Sequence, residues 1–130
     1  MMEIKTGTVY TAETVVDKTN IASALGSGLV DVYATPMMVA LLELAASECI
    51  KPFLEPGQVS VGGHVNVSHV AATPVGMKVT ATATVSAVDR RRVDFHVTMR
   101  DKAGEIGSGT HTRFIVDKDK FTAKANEKLA

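Results

Sequence analysis

The sequence has little of several features that would define a class of protein at once. It contains a single cysteine, Cys49, which excludes an intramolecular disulfide framework. Its 14 basic and 14 acidic residues cancel, so no overall field attracts nucleic acid or an anionic membrane. There is no signal-type segment at the N-terminus and no run of the roughly 18 apolar residues that a membrane span requires. We therefore expect a soluble cytoplasmic protein that binds a small molecule, with no nucleic-acid or membrane partner.

The chain also lacks the repeats, low-complexity tracts and linkers that divide longer proteins. Its 130 residues are 45% hydrophobic, and a domain of this size buries about two thirds of its unfolded surface. We expect a single domain that spans residues 1–130. Cys49 lies in an apolar run, which favours an inert buried thiol.

That apolar run, Pro36 to Ile50, has one carboxylate near its centre, Glu43. Thr35 and Pro36 supply an N-cap and a first-turn proline, and Lys51-Pro52 ends the run, so the pattern predicts a helix of about 14 residues. A helix that is apolar on nearly every side must be enclosed. Because burial of an unpaired carboxylate is costly, Glu43 is a candidate functional residue.

From Val59 onward, apolar residues recur at every second position, and this period predicts strands. The expected order is one strand, a short turn of helix, the long helix, and then four strands in a meander. This favours an α+β domain with the helix across the inner face of an antiparallel sheet. Because one sheet cannot surround such a helix, we expect a homodimer. The strands are expected near residues 6–16, 59–69, 77–85, 93–99 and 106–116, with one short helix in the charged tail.

The alternation of side chains along a strand predicts the direction in which each of the four histidines points. His69 shares a face with valines and should point toward the helix that carries Glu43, whereas His64 points the other way. His96 alternates with apolar residues and should be exposed. His111 and Arg113 lie on the same strand face as Gly107 and Gly109, which have no side chains. Glycines at these two positions would be explained either by bulges or by close packing.

An inward His69 and a helix carboxylate would form an acid/base pair suited to hydrolysis of an activated acyl group. Ordinary structural roles remain open, because a core histidine often bonds to backbone and a helix glutamate can reach a polar edge. Thr35 could be an N-cap only. Eight helical residues, about 12 Å of rise, separate Thr35 from Glu43, so direct contact between them is not expected.

Several short motifs together resemble the hot dog-fold thioesterases related to fluoroacetyl-CoA thioesterase, in one register from about Val32 to Lys124. The resemblance implies a long helix wrapped by an antiparallel sheet, with two subunits joining their sheets. The motifs are Ala34-Thr35, the helix with Glu43, residues 54–57, Val61-Gly62, residues 65–69, residues 71–76 and residues 106–113.

The resemblance implies that three positions carry catalysis. The helix-start threonine falls on Thr35, the helix carboxylate on Glu43 and the strand histidine on His69. The carboxylate would act as nucleophile or general base, the histidine in proton transfer, and the threonine in orienting the site. Backbone N–H groups around Thr35 to Met37, at the helix N-terminus, are a candidate oxyanion site. Thr35 of the second subunit could complete the site across the dimer interface.

Substrate contacts are likewise implied at Gly62 and Arg113, and Leu29 is expected beside the acyl pocket. The family's lid phenylalanines fall on Gly26 and Leu29, which argues against fluoroacetyl-CoA as the substrate. No metal or redox cofactor is implied, because coenzyme A enters with the substrate. Arg90 to Arg92, at a turn, could hold its phosphates or could be simply solvated.

We therefore expect hydrolysis of a small acyl-CoA thioester to free acid and coenzyme A. Two alternatives stay open at this point. One is a non-catalytic acyl-CoA binding or regulatory module, because a fold does not fix an activity. The other is a hydratase, a reaction that hot dog domains also host.

Overall fold

A computed structural model describes residues 3–130; the first two residues of the expected 1–130 domain lie outside this part of the chain. No helix within it is long and apolar enough to cross a membrane. The elements are β1 Val9–Val15, α1 Ala22–Leu25, α2 Thr35–Ile50, β2 Gln58–His69, β3 Lys78–Asp89, β4 Arg92–Asp101, β5 Gly104–Asp117 and α3 Lys118–Asn126, with 3-10 turns at Lys51–Phe53 and Glu127–Leu129.

The five strands form an antiparallel sheet in the order β1-β3-β4-β5-β2. The expected α+β arrangement of a long helix against such a sheet is confirmed. The expected four-strand meander is wrong for β2, because only β3, β4 and β5 follow one another in space. The long helix carries the chain from β1 to the opposite edge, where β2 pairs with β5 and His69 lies opposite Gly107. The chain then returns so that β3 lies beside β1.

The core lies between α2 and the inner face of the sheet. The helix buries Met38, Leu42, Ala46 and Ile50 completely. The facing strands contribute alternate residues, as their period predicts. These are Val79, Ala81, Ala83 and Val85 of β3 and Val93, Phe95, Val97 and Met99 of β4. The alanines on β3 leave room for the helix, and β1 and β3 are the strands that α2 contacts most extensively.

Enclosure of α2 is only partial within the protomer, as expected for a helix that a single sheet cannot surround. Leu44 is 50% exposed, and the side chain of Glu43 is 41% exposed. The sheet is also open, because β2 is an edge strand with one neighbour only. The predicted homodimer would give both of these surfaces a partner.

Gly107 and Gly109 allow β2 and β5 to approach closely. A Cβ at Gly109 would overlap the carbonyl oxygen of Asn66, and a Cβ at Gly107 would overlap that of Ser68 and come within 3.1 Å of the Met38 sulfur. Close packing is therefore observed at both glycines, and an irregularity in the pairing with β4 also lies directly beside Gly107, where the register shifts between Met99 and Arg100.

We predict that Gly109→Ala lowers the free energy of unfolding by about 2 kcal/mol, because the added methyl must displace the β2 backbone. Chemical denaturation followed by circular dichroism measures the change. Thr110→Ala, at the exposed neighbouring position, is the matched control and should stay close to the parent protein. Equal stability of Gly109→Ala and the parent protein would contradict this packing role.

Candidate active site

Thr35 and His69 form the first of two polar groups. The Thr35 hydroxyl lies 2.7 Å from Nδ1 of His69, which brings the start of α2 to the end of β2. The predicted N-cap role of Thr35 is wrong, because Ala34 occupies the cap position and no side chain caps the helix. The expected inward direction of His69 is confirmed. The Thr35 side chain therefore bonds to an imidazole and does not cap the helix.

The other ring nitrogen of His69, Nε2, lies away from Thr35. Nε2 is buried and has no hydrogen-bond partner within residues 3–130. Burial lowers the pKa of His69, and a backbone hydrogen bond with Ala71 opposes that effect. The ring is therefore neutral near pH 7, which is the form that accepts a proton.

His69 and Thr35 open onto a cleft of about 340 Å³ that runs beneath the loop after α1. Tyr33, which is 2% exposed, forms part of the wall and donates its hydroxyl to the carbonyl of Met37 at 3.0 Å. The Met37 N–H already donates to the carbonyl of Ala34 at 3.0 Å, and Pro36 has no N–H. The helix start is thus a weaker oxyanion site than its sequence suggested.

Glu43 and Arg113 form the second polar group. Their Oε2 and Nη1 atoms lie 3.7 Å apart. Gly62 of β2 lies directly beside the carboxylate, since a Cβ there would come within 2.6 Å of Oε2. Glycine at this position therefore leaves the space that the carboxylate occupies, and Glu43 is half-exposed because it faces the open edge of the sheet.

Arg113 is only 7% exposed, and its guanidinium forms hydrogen bonds with two residues. Its Nε donates to Oγ of Ser60 and its Nη2 to the Ser60 carbonyl, both at 2.8 Å. Its Nη1 lies 3.3 Å from Nε2 of His111. Burial lowers the pKa of Arg113 and the charge of Glu43 opposes that effect, so the guanidinium remains a cation.

Sequence reasoning did not assign a role to Ser60 or His111. Strand phase placed His111 and Arg113 on one face, and that was the available signal for the contact. The sequence pattern gives no signal for Ser60, because Arg113 bonds to its backbone carbonyl as well as to its hydroxyl, and every residue has a backbone carbonyl. His64 and His96 are exposed, as their phases predicted.

The structure does not bring the two polar groups together within one protomer. His69 contacts Thr35, whereas Glu43 contacts Arg113, and eight residues of α2 separate the two helix positions. Their separation along the helix axis is about 12 Å. The acid/base pair expected between His69 and Glu43 is therefore not formed by a single chain.

Two other expectations concern the periphery. Leu29 is 99% exposed between Gly28 and Val30, which line the cleft beside His69, and its contact with substrate stays a prediction. At the turn, Arg91 lies 3.7 Å from Asp117 and Arg92 lies 3.1 Å from Asp94, which favours a solvated, ion-paired turn over a phosphate site.

A larger cleft, of about 630 Å³, is lined by none of the residues of the two polar groups. It is lined by residues such as Lys78 and Arg100 on the outer side of the sheet. None of the predicted site residues borders it. Polar groups suited to acyl chemistry are found instead at the smaller cleft beside His69 and at Glu43.

Known proteins are similar to this chain in sequence and in fold. The sequence pattern of the fluoroacetyl-CoA-specific thioesterase family matches residues 16–119. The fluoroacetyl-CoA thioesterase of Streptantibioticus cattleyicolor is 45% identical over 98 residues, which are 75% of this chain and 70% of that protein. A crystal structure of the fluoroacetyl-CoA thioesterase FlK is 37% identical, covers 98% of both chains and superimposes with a TM-score of 0.93.

A thioesterase superfamily member of Thermus thermophilus is also similar, with 33% identity, a TM-score of 0.91 and coverage of 99% of this chain and 96% of that one. The helix wrapped by an antiparallel sheet is thus the hot dog fold, and the protein is a thioester hydrolase. More narrowly, the chain belongs to the fluoroacetyl-CoA-specific thioesterase family.

Burial of neutral histidines makes stability depend on pH. Burial lowers the pKa of His111 and of His69 below the ordinary value of 6.5. Between the folded and unfolded pKa values the unfolded chain binds more protons, so the free energy of unfolding falls as the pH drops below about 6.5. We predict lower stability at pH 5.5 than at pH 7.5, measured by urea denaturation.

His111→Gln should reduce that difference, because it removes the most deeply buried of the imidazoles. His96→Gln, on the exposed side of β4, is the matched control. A pH dependence that His111→Gln leaves intact would show that the buried ring is not its source.

Proposed function

We propose that this thioesterase hydrolyses a small acyl-CoA to the free acid and coenzyme A at sites formed between two protomers. The observation that carries the proposal is the division of the polar residues. Thr35 and His69 lie at one end of α2, and Glu43 and Arg113 lie eight residues further along. A complete acid/base site then needs one group from each of two chains.

The edge strand β2 supplies a means of joining them. Its free edge can pair with β2 of a second protomer, and symmetric interfaces of this kind are the commonest in homodimers. Antiparallel pairing about an axis near Asn66 would bring Gly62 opposite His69 of the partner subunit, given that Gly63 is the extra residue of a bulge. Glu43, which lies beside Gly62, would then face the partner's Thr35 and His69.

The chemistry follows from this arrangement. The Glu43 carboxylate either takes a proton from a water that attacks the thioester carbonyl carbon, or attacks that carbon itself to form an anhydride, which water then hydrolyses to the free acid. The carbon–sulfur bond breaks, and the coenzyme A thiolate leaves and is protonated. His69, neutral and oriented by Thr35, accepts and returns protons through its unpartnered Nε2. Arg113 places a positive charge 3.7 Å from the carboxylate of Glu43.

A small acyl group suits the cleft beside His69, which has a volume of about 340 Å³. The relative from Streptantibioticus cattleyicolor acts on fluoroacetyl-CoA. This chain has Gly26 and Leu29 at the two positions where the resemblance places lid phenylalanines. We therefore propose a short acyl-CoA as the substrate, without a requirement for fluorine.

Release of free thiol distinguishes this reaction from its alternatives. Hydrolysis liberates coenzyme A, whereas hydration of an unsaturated acyl group and simple binding leave the thioester intact. The unpartnered nitrogen of His69 and the exposed carboxylate of Glu43 favour hydrolysis, because a binding module has no need of an acid/base pair. A panel of short acyl-CoAs with a thiol-reactive dye makes the test direct.

We predict that Glu43→Gln lowers the rate of thiol release by at least about 100-fold, because the amide can neither attack nor accept a proton. Glu48→Gln is the matched control. It changes a carboxylate on the same helix that pairs only with Lys51, at 3.8 Å. If Glu43→Gln kept the parent rate, the role proposed for this carboxylate would be refuted.

A further inference from the structure

We propose that His111 is a positioning residue for the reaction, because its ring nitrogen shares Nη1 of Arg113 with Glu43 and so keeps the carboxylate free to react. The inference rests on the proposed role of Glu43 in hydrolysis. His111 itself touches neither the cleft nor the carboxylate. It acts through Arg113.

The ring of His111 is fixed in one tautomer. It is completely buried, and Nδ1 lies 2.7 Å from the carbonyl oxygen of His64. A carbonyl only accepts hydrogen bonds, so Nδ1 carries the proton and Nε2 presents a lone pair. Phe95 stacks against the ring with a centroid distance of 6.1 Å and an interplanar angle of 26°. The lone pair is therefore aimed in a single direction.

That direction is Arg113. Nη1 of the guanidinium lies 3.3 Å from Nε2 of His111 and 3.7 Å from Oε2 of Glu43. The opposite side of the guanidinium is occupied by Ser60. Nη1 thus stands between one neutral acceptor and one charged acceptor, and the neutral one is the nearer.

The bulge in β2 positions the His64 carbonyl, to which His111 bonds. Gly62 pairs with Arg113 and His64 with Thr112, which leaves Gly63 as an extra residue. The carbonyl that holds His111 comes from His64, the residue directly after the bulge. The same irregularity therefore places Gly62 beside Glu43 and the His64 carbonyl beside His111.

Removal of the acceptor at Nε2 would leave a buried N–H donor with Glu43 as its nearest partner. A charged hydrogen bond is stronger than a neutral one, so Arg113 would close on the carboxylate and hold it back from the substrate. This predicts a loss in kcat rather than a weaker affinity for the acyl-CoA, because no contact to the substrate is removed.

Two variants separate the hydrogen bonds made by the two nitrogens of the imidazole. In His111→Gln the amide oxygen can take the place of Nε2 and still accept from Arg113. In His111→Asn the amide nitrogen can take the place of Nδ1 and still donate to the His64 carbonyl, but nothing replaces Nε2. Both are neutral amides in the same buried position, so each is the other's control for lost packing.

We expect His111→Gln to retain most of kcat, and His111→Asn to lose about tenfold in kcat with little change in KM, the size of one lost hydrogen bond to a charged group. Thiol release from a short acyl-CoA gives both constants, and thermal unfolding reports on the fold. Equal values of kcat for the two variants, or losses that follow the melting temperature alone, would overturn the positioning role.

The outcome also separates this inference from the function on which it rests. If Glu43→Gln abolishes hydrolysis while His111→Asn matches the parent protein, only the role of His111 is wrong. If Glu43→Gln is fully active, the proposed function fails first.

Discussion

The length of helix between Thr35 and Glu43 sets the layout of the site. Eight residues of α2 place these side chains about 12 Å apart along its axis, and each is held at its end by a residue of the sheet. Thr35 bonds to His69 at 2.7 Å, and Glu43 lies 3.7 Å from Arg113. A rigid helix cannot bring the two ends together, and this is why we propose an acid/base site that takes one group from each of two chains.

Glycines determine what lies beside each group. Gly62 leaves space for the carboxylate of Glu43, and Gly107 and Gly109 let β5 approach β2 so closely that a methyl group would meet backbone. The bulge at Gly63 interrupts that regular pairing. Small residues and one irregularity thus place a buried arginine, a buried histidine and an accessible carboxylate within a few ångströms of one another.

Much of the fold and part of the site could be predicted from the sequence. The helix, the strands and the inward face of His69 follow from periodicity, because burial imposes a repeat of 3.6 or 2 residues. Periodicity gives the face of a strand and not its neighbour, so the pairing of β2 with β5 was missed. It predicts that α2 must be enclosed, but only the structure shows that Glu43 and Leu44 are left partly exposed by the protomer.

The contact of Thr35 was missed for a different reason. Whether a threonine caps a helix depends on its backbone angles, and here the extended residue is Ala34, with φ −77° and ψ 137°. Thr35 is therefore the first helical residue, and its hydroxyl is free for His69. The resemblance to a thioesterase family identified the residue, but only the three-dimensional structure shows its partner.

Mixed dimers test the central claim, that each site takes Glu43 from one chain and Thr35 and His69 from the other. Glu43→Gln and His69→Ala chains with different affinity tags would be co-expressed, and the heterodimer isolated by sequential purification. Each homodimer should be inactive, whereas the heterodimer should have about half the thiol-release activity of the parent dimer, because one of its two sites is intact. A folded heterodimer as inactive as the homodimers would contradict the shared site.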